Sequence, residues 1–260
     1  MNIQAWTTKW ATDLKLRVLA SPQTASTNTD AKNSLGGLSS RALVITDHQT
    51  AGRGRGAHSW TTKPGDALLS SWVFQSKKAP QPIFSALIGL ALYEAARDTW
   101  PNIPWALRAP NDLHIVETDA NSASPQGENQ SRKIAGLLIE LVSHDASHIS
   151  IIIGLGLNVL GAPEETTPYP ATFLKKELEN RATPEQAALT EADWNLFLNN
   201  WLKRCEAKIV LGTSSLLEKT DIAALEKALK KHPEFQALSA VEPDGSLVFS
   251  DGRRTHWTEL

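Results

Sequence analysis

The sequence predicts an α+β protein. Three observations carry that prediction: branched apolar runs at Ala42–Thr46 and Ile149–Leu157, a period-two run at Ala67–Gln75, and an apolar stripe at three- and four-residue intervals beginning at Phe84. With 260 residues, 41% of them hydrophobic and nine of them Trp, the chain can bury one sizeable core and carry an appendage. A net charge of −2 argues against a general nucleic-acid binder, which carries a basic surplus. One cysteine excludes an intrachain disulfide and suits a reducing cytosol. Residues 1–20 hold no apolar run of the ~7–15 residues a secretion signal needs, and nowhere do about 18 apolar residues run together. A soluble, cytoplasmic protein is expected, with no membrane partner and no DNA-binding module ahead of Ser26.

Taken in order, Leu14–Ala20 reads as a strand, followed by a polar turn into a short helix. Ser26, Thr27 and Asn28 place two hydroxyls and an amide at that turn, where their ordinary role is to cap a helix. After the strand Ala42–Thr46 comes Asp47–Trp60, with Gly52-Arg53-Gly54-Arg55-Gly56 at its centre. The glycines let a mobile loop approach a ligand closely, and the two guanidiniums offer planar forks for carboxylate or phosphate. An RNA-binding patch is the competing reading, weakened by the overall charge.

In Ala67–Gln75, Leu68, Trp72 and Phe74 share one face against Ser71 and Gln75. Pro82 opens a mostly buried helix that Pro101 stops. In Trp105–Val116, Pro110-Asn111-Asp112 reads as a turn between two short strands, with Arg108 just ahead of it. Glu117–Arg132 is polar and aperiodic, an exposed loop. Lys133–Glu140 begins a strand with a charge at its mouth, and Ile149–Asn158 is a buried strand with two glycines that leave room for something to approach.

Thr190 and Asp193 form a capping box before a helix whose stripe is Trp194, Phe197, Leu198, Trp201, Leu202 and Cys205, which makes Cys205 a core thiol. Gly212 ends that helix, another spans Thr220–His232, and Asp-Gly at 244–245 and 251–252 marks small hairpins. A boundary falls near 213–235, giving a domain over 1–212 and a short module over 213–260. The seven His are scattered, with neither a zinc-protease nor a paired-cysteine pattern, so no resident metal site is expected. There is no Walker A loop and no nucleophile elbow, which leaves the arginine loop as the phosphate-handling device.

GRGR followed by four residues and Trp60, then Pro110-Asn111-Asp112, then KIAGLLIE (Lys133–Glu140), then GLGLN (Gly154–Asn158) together resemble the biotin protein ligases over about residues 18–160. The resemblance implies a mixed β-sheet backed by helices with a reduced, SH3-like C-terminal β module, in a ligase of the type without the DNA-binding domain of the repressor ligases. It implies ATP-dependent formation of biotinyl-5′-AMP and transfer of biotin to a lysine of a biotin carboxyl carrier domain, as in acetyl-CoA carboxylase, with ATP and Mg²⁺ required. By motif position, Ser26, Thr27, Asn28, Gln49 and Gly136 hold biotin, and Arg53, Gly54 and Arg55 wrap its carboxyl and the adenylate phosphate. Lys133 and Arg55 are the catalytic residues at the carboxyl–phosphate junction. Trp60, Arg108, Asn111, Asp112 and Asn158 face ATP or the adenylate. Arg108-Ala109 stands where the family usually has Lys-Trp, which bears on nucleotide use. Alternatives are a lipoate or octanoate ligase or transferase of the same fold, and a biotin-binding protein that has lost catalysis.

Overall fold

The computed structural model describes residues 2–37, 41–56, 58–116, 131–145, 148–163, 169–181 and 188–260. They group into two compact units: Met1–Ala79, Ala135–Glu164 and Thr172–Asn199 in the first, Pro80–Ile134, Glu165–Ala171 and Asn200–Leu260 in the second. The expected loop over 117–132 lies outside the described residues, apart from Ser131 and Arg132, which belong to a strand.

The first unit opens with helix α1 (Ile3–Asp13), whose cap Asn2 accepts the Ala5 N–H at 2.7 Å. Sequence reading assigns no helix here because a polar residue, Thr7, fills a core position. Its hydroxyl donates to Ile3 O at 2.7 Å and accepts the Trp194 indole N–H at 2.9 Å. Strand β1 (Arg17–Thr24) starts later than the expected Leu14, since Leu14 closes the helix and Lys15 turns the chain at φ 58°. Helix α2 (Thr27–Asn33) leads to β2 (Arg41–Gln49), which runs parallel to β1. Strand β3 (Ala67–Ser76) is antiparallel to β2.

The chain passes through the second unit in α3 (Phe84–Thr99), β4 (Trp105–Arg108) and β5 (Asp112–Val116). Strand β6 (Ser131–Asp145) begins there and continues in the first unit, where it pairs with β7 (His148–Asn158). The first unit's strand order is β1-β2-β3-β7-β6, one parallel pair and three antiparallel, so the expected mixed sheet is present.

Register fixes what shares a face. Thr46, Leu69, Gly156 and Gly136 are cross-strand neighbours, as are Val44, Ser71, Gly154 and Leu138. On this face α2 packs through Ala31 against Ala42, Val44, Val73 and Ile152. The other face carries Leu43, Trp72 and Ile153, and Trp72 meets Trp10 of α1 edge-on at 5.9 Å. Both faces of β3 are therefore covered. Ser71, set against the Leu68–Trp72–Phe74 face, and Ser70 on that face are both buried and need partners; Ser70 finds them in Leu155 O at 3.4 Å and the Trp72 indole N–H at 3.1 Å. Helix α4 (Leu174–Arg181) follows, and α5 (Glu191–Leu211) starts from Thr190, whose oxygen takes the Asp193 N–H at 3.1 Å. The six-residue stripe predicted along α5 is buried throughout, Cys205 included.

In the second unit α3 buries eleven of its sixteen residues. Helix α6 (Lys219–Leu229) packs on α3, on β4 and on β8 (Leu238–Val241). With β9 (Ser246–Phe249) and β10 (Arg254–His256), β8 makes a three-stranded antiparallel sheet in the order β10-β9-β8, the reduced C-terminal β module. Both Asp-Gly turns need the left-handed backbone that glycine accepts, with φ of 87° at Gly245 and 85° at Gly252. Among the described residues no helix is long and apolar enough to cross a membrane.

Trp72 is 1% exposed at the centre of the first unit's sheet. Trp72→Ala is expected to lower unfolding free energy by about 3–5 kcal/mol in a urea titration; a loss below about 1.5 kcal/mol would mean the sheet core lies elsewhere.

Candidate functional site

In the first unit a chain of buried polar groups runs between α2 and the sheet. Ser26, Thr27 and Asn28 are 4%, 3% and 2% exposed. Ser26 stands at the cap position of α2, yet its hydroxyl makes no capping bond. The first helical N–H, that of Thr27, is instead taken by the Gln49 side-chain oxygen from the end of β2 at 2.8 Å, with the Thr27 hydroxyl 3.2 Å from the same oxygen. Ser71 Oγ lies 2.8 Å from Thr27 Oγ1 and 2.5 Å from Asn28 Oδ1. Asn28 Nδ2 donates to Leu138 O at 3.2 Å and to Glu140 Oε2 at 2.8 Å. Polar groups this deeply buried cost free energy unless they are bonded. Here they bond one another, so the residues singled out as a cap form a prearranged polar surface.

The two glycines of β7 explain how that surface fits. A Cβ on Gly154 would sit 2.5 Å from Asn28 Oδ1, and one on Gly156 would sit 2.6 Å from Cε2 of Trp60. Gly156 also faces Gly136 across the strand pair, which leaves bare backbone where the indole lies.

The glycine–arginine segment, expected as a mobile loop, is a hydrogen-bonded hairpin. Trp60 N–H donates to Gly52 O at 2.9 Å and Gly54 N–H to His58 O at 2.7 Å, with Arg53 bridged to Ser59 and Gly56 turning at φ 63°. Arg53 reaches Glu140 with two nitrogens, Nη2 at 3.1 Å from Oε2 and Nη1 at 3.4 Å from Oε1. Lys32 Nζ is 2.7 Å from Oε1 of the same carboxylate. Burial works to raise the Glu140 carboxyl, but the bonds from Lys32 and Asn28 and the charges of Arg53 and Lys32 together hold it below its ordinary value. Asn158, at the end of β7, is 2% exposed and donates to Thr172 O at 3.1 Å, while its Oδ1 is buried with no partner among the described residues.

The second unit gathers a different set. The β4–β5 turn runs through a cis Ala109–Pro110 bond, and Asp112 at the start of β5 forms an ion pair with Lys133, Nζ lying 2.8 Å from Oδ1. Arg108 does not extend away as a lone cation. Its Nε is 3.0 Å from Glu234 Oε2, its Nη1 is 3.9 Å from Asp112 Oδ2, and its guanidinium lies 4.6 Å from the centre of the Tyr169 ring. Asn111 sits half-buried at the same turn.

Behind the Asp112–Lys133 pair, His114 Nδ1 and His232 Nε2 are 3.3 Å apart, and Ser131 Oγ is 3.3 Å from the same His114 nitrogen. Burial, then the neighbouring His232, Arg108 and Lys133, push His114 down to about 2; burial and Arg108 push His232 down to about 4.

The fold thus brings Ser26, Thr27, Asn28, Gln49, Arg53, Gly54, Trp60, Gly136 and Asn158 into one unit and Arg108, Asn111, Asp112 and Lys133 into the other, with Arg55 on the first unit's hairpin. Sequence reading passed over Ser71, Lys32 and Glu140. Alternation from Gly136 places Glu140 on the α2 face, a signal present in KIAGLLIE itself.

The mixed sheet backed by helices is the fold of a biotin protein ligase catalytic domain. The chain belongs to the biotin/lipoate A/B protein ligase family, whose model matches residues 18–158. It is 29% identical over 143 residues to the bifunctional ligase/repressor BirA of Escherichia coli (strain K12), covering 53% of this chain and 39% of that one. It is 26% identical over 195 residues to a biotin–[acetyl-CoA-carboxylase] ligase of Mycobacterium tuberculosis (strain ATCC 25618 / H37Rv), covering 72% and 62%. The match thus spans well under two thirds of the BirA relative's length. In fold it resembles the biotin protein ligase from Aquifex aeolicus solved in complex with biotin and ATP, with a TM-score of 0.62, 20% identity, and coverage of 94% of this chain and 97% of that one.

The imidazole pair is expected to make stability fall with acid. As pH falls below 6.5 the unfolded chain protonates both histidines while the folded imidazoles stay neutral to about 4 and about 2, so unfolding takes up protons and stability drops. The expected slope is up to about 1.4 kcal/mol per pH unit for each histidine between pH 6.5 and 4. His114→Gln should remove about half of it in urea titrations across that range; an unchanged slope would show that His114 is protonated in the folded state.

Proposed function

We propose that the protein is a biotin protein ligase. In the first step a biotin carboxylate oxygen bonds to the α-phosphorus of ATP and pyrophosphate leaves, giving biotinyl-5′-AMP. In the second the ε-amine of a lysine on a biotin carboxyl carrier domain, of the kind found in acetyl-CoA carboxylase, attacks the acyl carbon; AMP leaves and the amine gives up its proton. The observation that carries this reading is the buried cluster of Thr27, Asn28, Gln49 and Ser71 next to the glycine–arginine hairpin. Biotin's ureido ring presents two N–H donors and one carbonyl, and a prearranged set of hydroxyls and amides is the complement it needs. Relatives named as biotin ligases support the same substrate.

In this reading Ser26, Thr27, Asn28 and Gln49 hold the ureido ring, and Gly136 with Gly156 supplies the bare strand surface beside it. Arg53, Gly54 and Arg55 enclose the carboxyl and the phosphate, and Lys133 is assigned by motif position as a catalytic point charge. Such prearranged donors are worth on the order of 100- to 1000-fold each in rate. Trp60 covers the adenylate and limits water access to a hydrolysable anhydride. The unpartnered Asn158 Oδ1 is a ready acceptor for the adenine amino group. Arg108 is assigned to the nucleotide, and Asn111 and Asp112 to contacts with MgATP.

Asp112 is a poor resident metal ligand, because Lys133 and Arg108 already balance its charge. Mg²⁺ is therefore assigned as part of the MgATP substrate. Residues 1–212 are taken as the catalytic domain, with 213–260 a module that meets the carrier. The cytoplasm supplies the MgATP and suits a lone buried thiol.

Purified protein with MgATP is expected to release pyrophosphate only when biotin is added, and to label a carrier domain. Biotin binding without pyrophosphate would reduce it to a binding protein, and transfer of lipoyl or octanoyl groups without biotin turnover would move it to the other branch of the family. Arg55→Gly should raise labelling of bystander lysines about tenfold, since a charge-assisted anchor on the phosphate is lost. Wild-type labelling with normal transfer would remove Arg55 from that role.

A further inference from the structure

We propose that Glu140 is the positioning residue of the glycine–arginine hairpin: it holds Arg53, and it links occupancy of the Asn28 site to order in the hairpin. This rests on the ligase reading of the same site and adds a division of labour, with Arg53 as anchor and Arg55 as the charge for the ligand.

The geometry is specific. Glu140 stands on the α2 face of β6, in register with Ile152 and two residues from Leu138. Both of its oxygens are used twice: Oε1 by Lys32 at 2.7 Å and Arg53 Nη1 at 3.4 Å, Oε2 by Asn28 at 2.8 Å and Arg53 Nη2 at 3.1 Å. A guanidinium spread over both oxygens of a carboxylate is the most directional of the charged pairs, and the side chain of Glu140 is only 19% exposed. The Thr29 hydroxyl, 3.4 Å from Arg53 Nη2, gives the same guanidinium a second contact on α2.

The hairpin is therefore tied to the sheet at two places, by Arg53 on β6 and by the Trp60 indole on Gly156 of β7. Arg53 and Asn28 share one acceptor, Oε2. A ligand head group that draws on the Asn28 amide changes what that oxygen offers Arg53, and order in the hairpin changes what it offers Asn28. Two sites biasing a common element is the physical content of coupling. Lys32 neutralises the carboxylate independently of the hairpin, so Glu140 stays charged when Arg53 moves.

Trypsin cleavage after Arg55, identified by fragment mass, reads the hairpin directly. Glu140→Gln should raise the cleavage rate of the unliganded protein about tenfold, in line with loss of a charge-assisted fork and a rise in the open population. Arg53→Met, which leaves Glu140 its Lys32 and Asn28 partners, should match it, and the double variant should be cleaved no faster than either single one. Biotin should protect the wild-type hairpin and fail to protect the Glu140→Gln hairpin at concentrations that saturate binding by calorimetry. Wild-type cleavage in Glu140→Gln, multiplying effects in the double variant, or intact biotin protection in Glu140→Gln would each overturn the proposal. If biotin does not bind the wild-type protein, the ligase reading fails, while cleavage of the unliganded variants still decides whether Glu140 anchors the hairpin.

Discussion

The carboxylate of Glu140 is the interaction on which the first unit's site depends. A half-buried charge beneath a helix is costly, and the cost is met only because Lys32, Arg53 and Asn28 all donate to it. Each donor carries a further duty. Asn28 continues through Ser71 to Thr27 and Gln49, Arg53 belongs to the hairpin, and Lys32 lies on α2 itself. One acidic side chain thus sets the orientation of an amide, a loop and a helix together.

Glycine does the complementary work. Gly136 and Gly156 leave the sheet without side chains where the Trp60 indole rests, and Gly154 leaves space for the Asn28 amide. The same runs looked in sequence like ordinary buried strand with a place for close approach. The approach turns out to be made by the protein's own residues, which line the site before any ligand arrives. The second unit uses a different device: burial and the neighbouring cations favour the neutral form of two imidazoles near the Asp112–Lys133 and Arg108–Glu234 ion pairs.

Much of this was legible in the chain. The strands Ala42–Thr46, Ala67–Gln75 and Ile149–Asn158, the helix after Pro82 and the stripe ending in Cys205 follow from periodicity, and the four spaced motifs carried the family. What was not legible shares one cause: a polar residue in a core position. Thr7 hid α1, the polar Ser71 lies on the covered α2 face of β3, and the first N–H after the Ser26 turn is taken by Gln49 from another strand. Pattern reading scores polarity as exposure, whereas burial of these groups is decided by partners distant in sequence. Arg108, expected at the nucleotide, likewise has partners distant in sequence, Glu234 and Tyr169, within its own unit.

The pleat of β6 has a consequence for how this chain can vary. Gly136, Leu138 and Glu140 share a face because they stand two residues apart, and the pairing with β7 holds that alternation from Ala135 to Ser143. A side-chain change in KIAGLLIE acts at one position and leaves the facing of the others intact. The loss or gain of a single residue between Gly136 and Glu140 would put the glycine floor and the acidic hub on opposite sides of the sheet. Length, more than identity, is therefore the property of this segment that descent with modification is least free to alter.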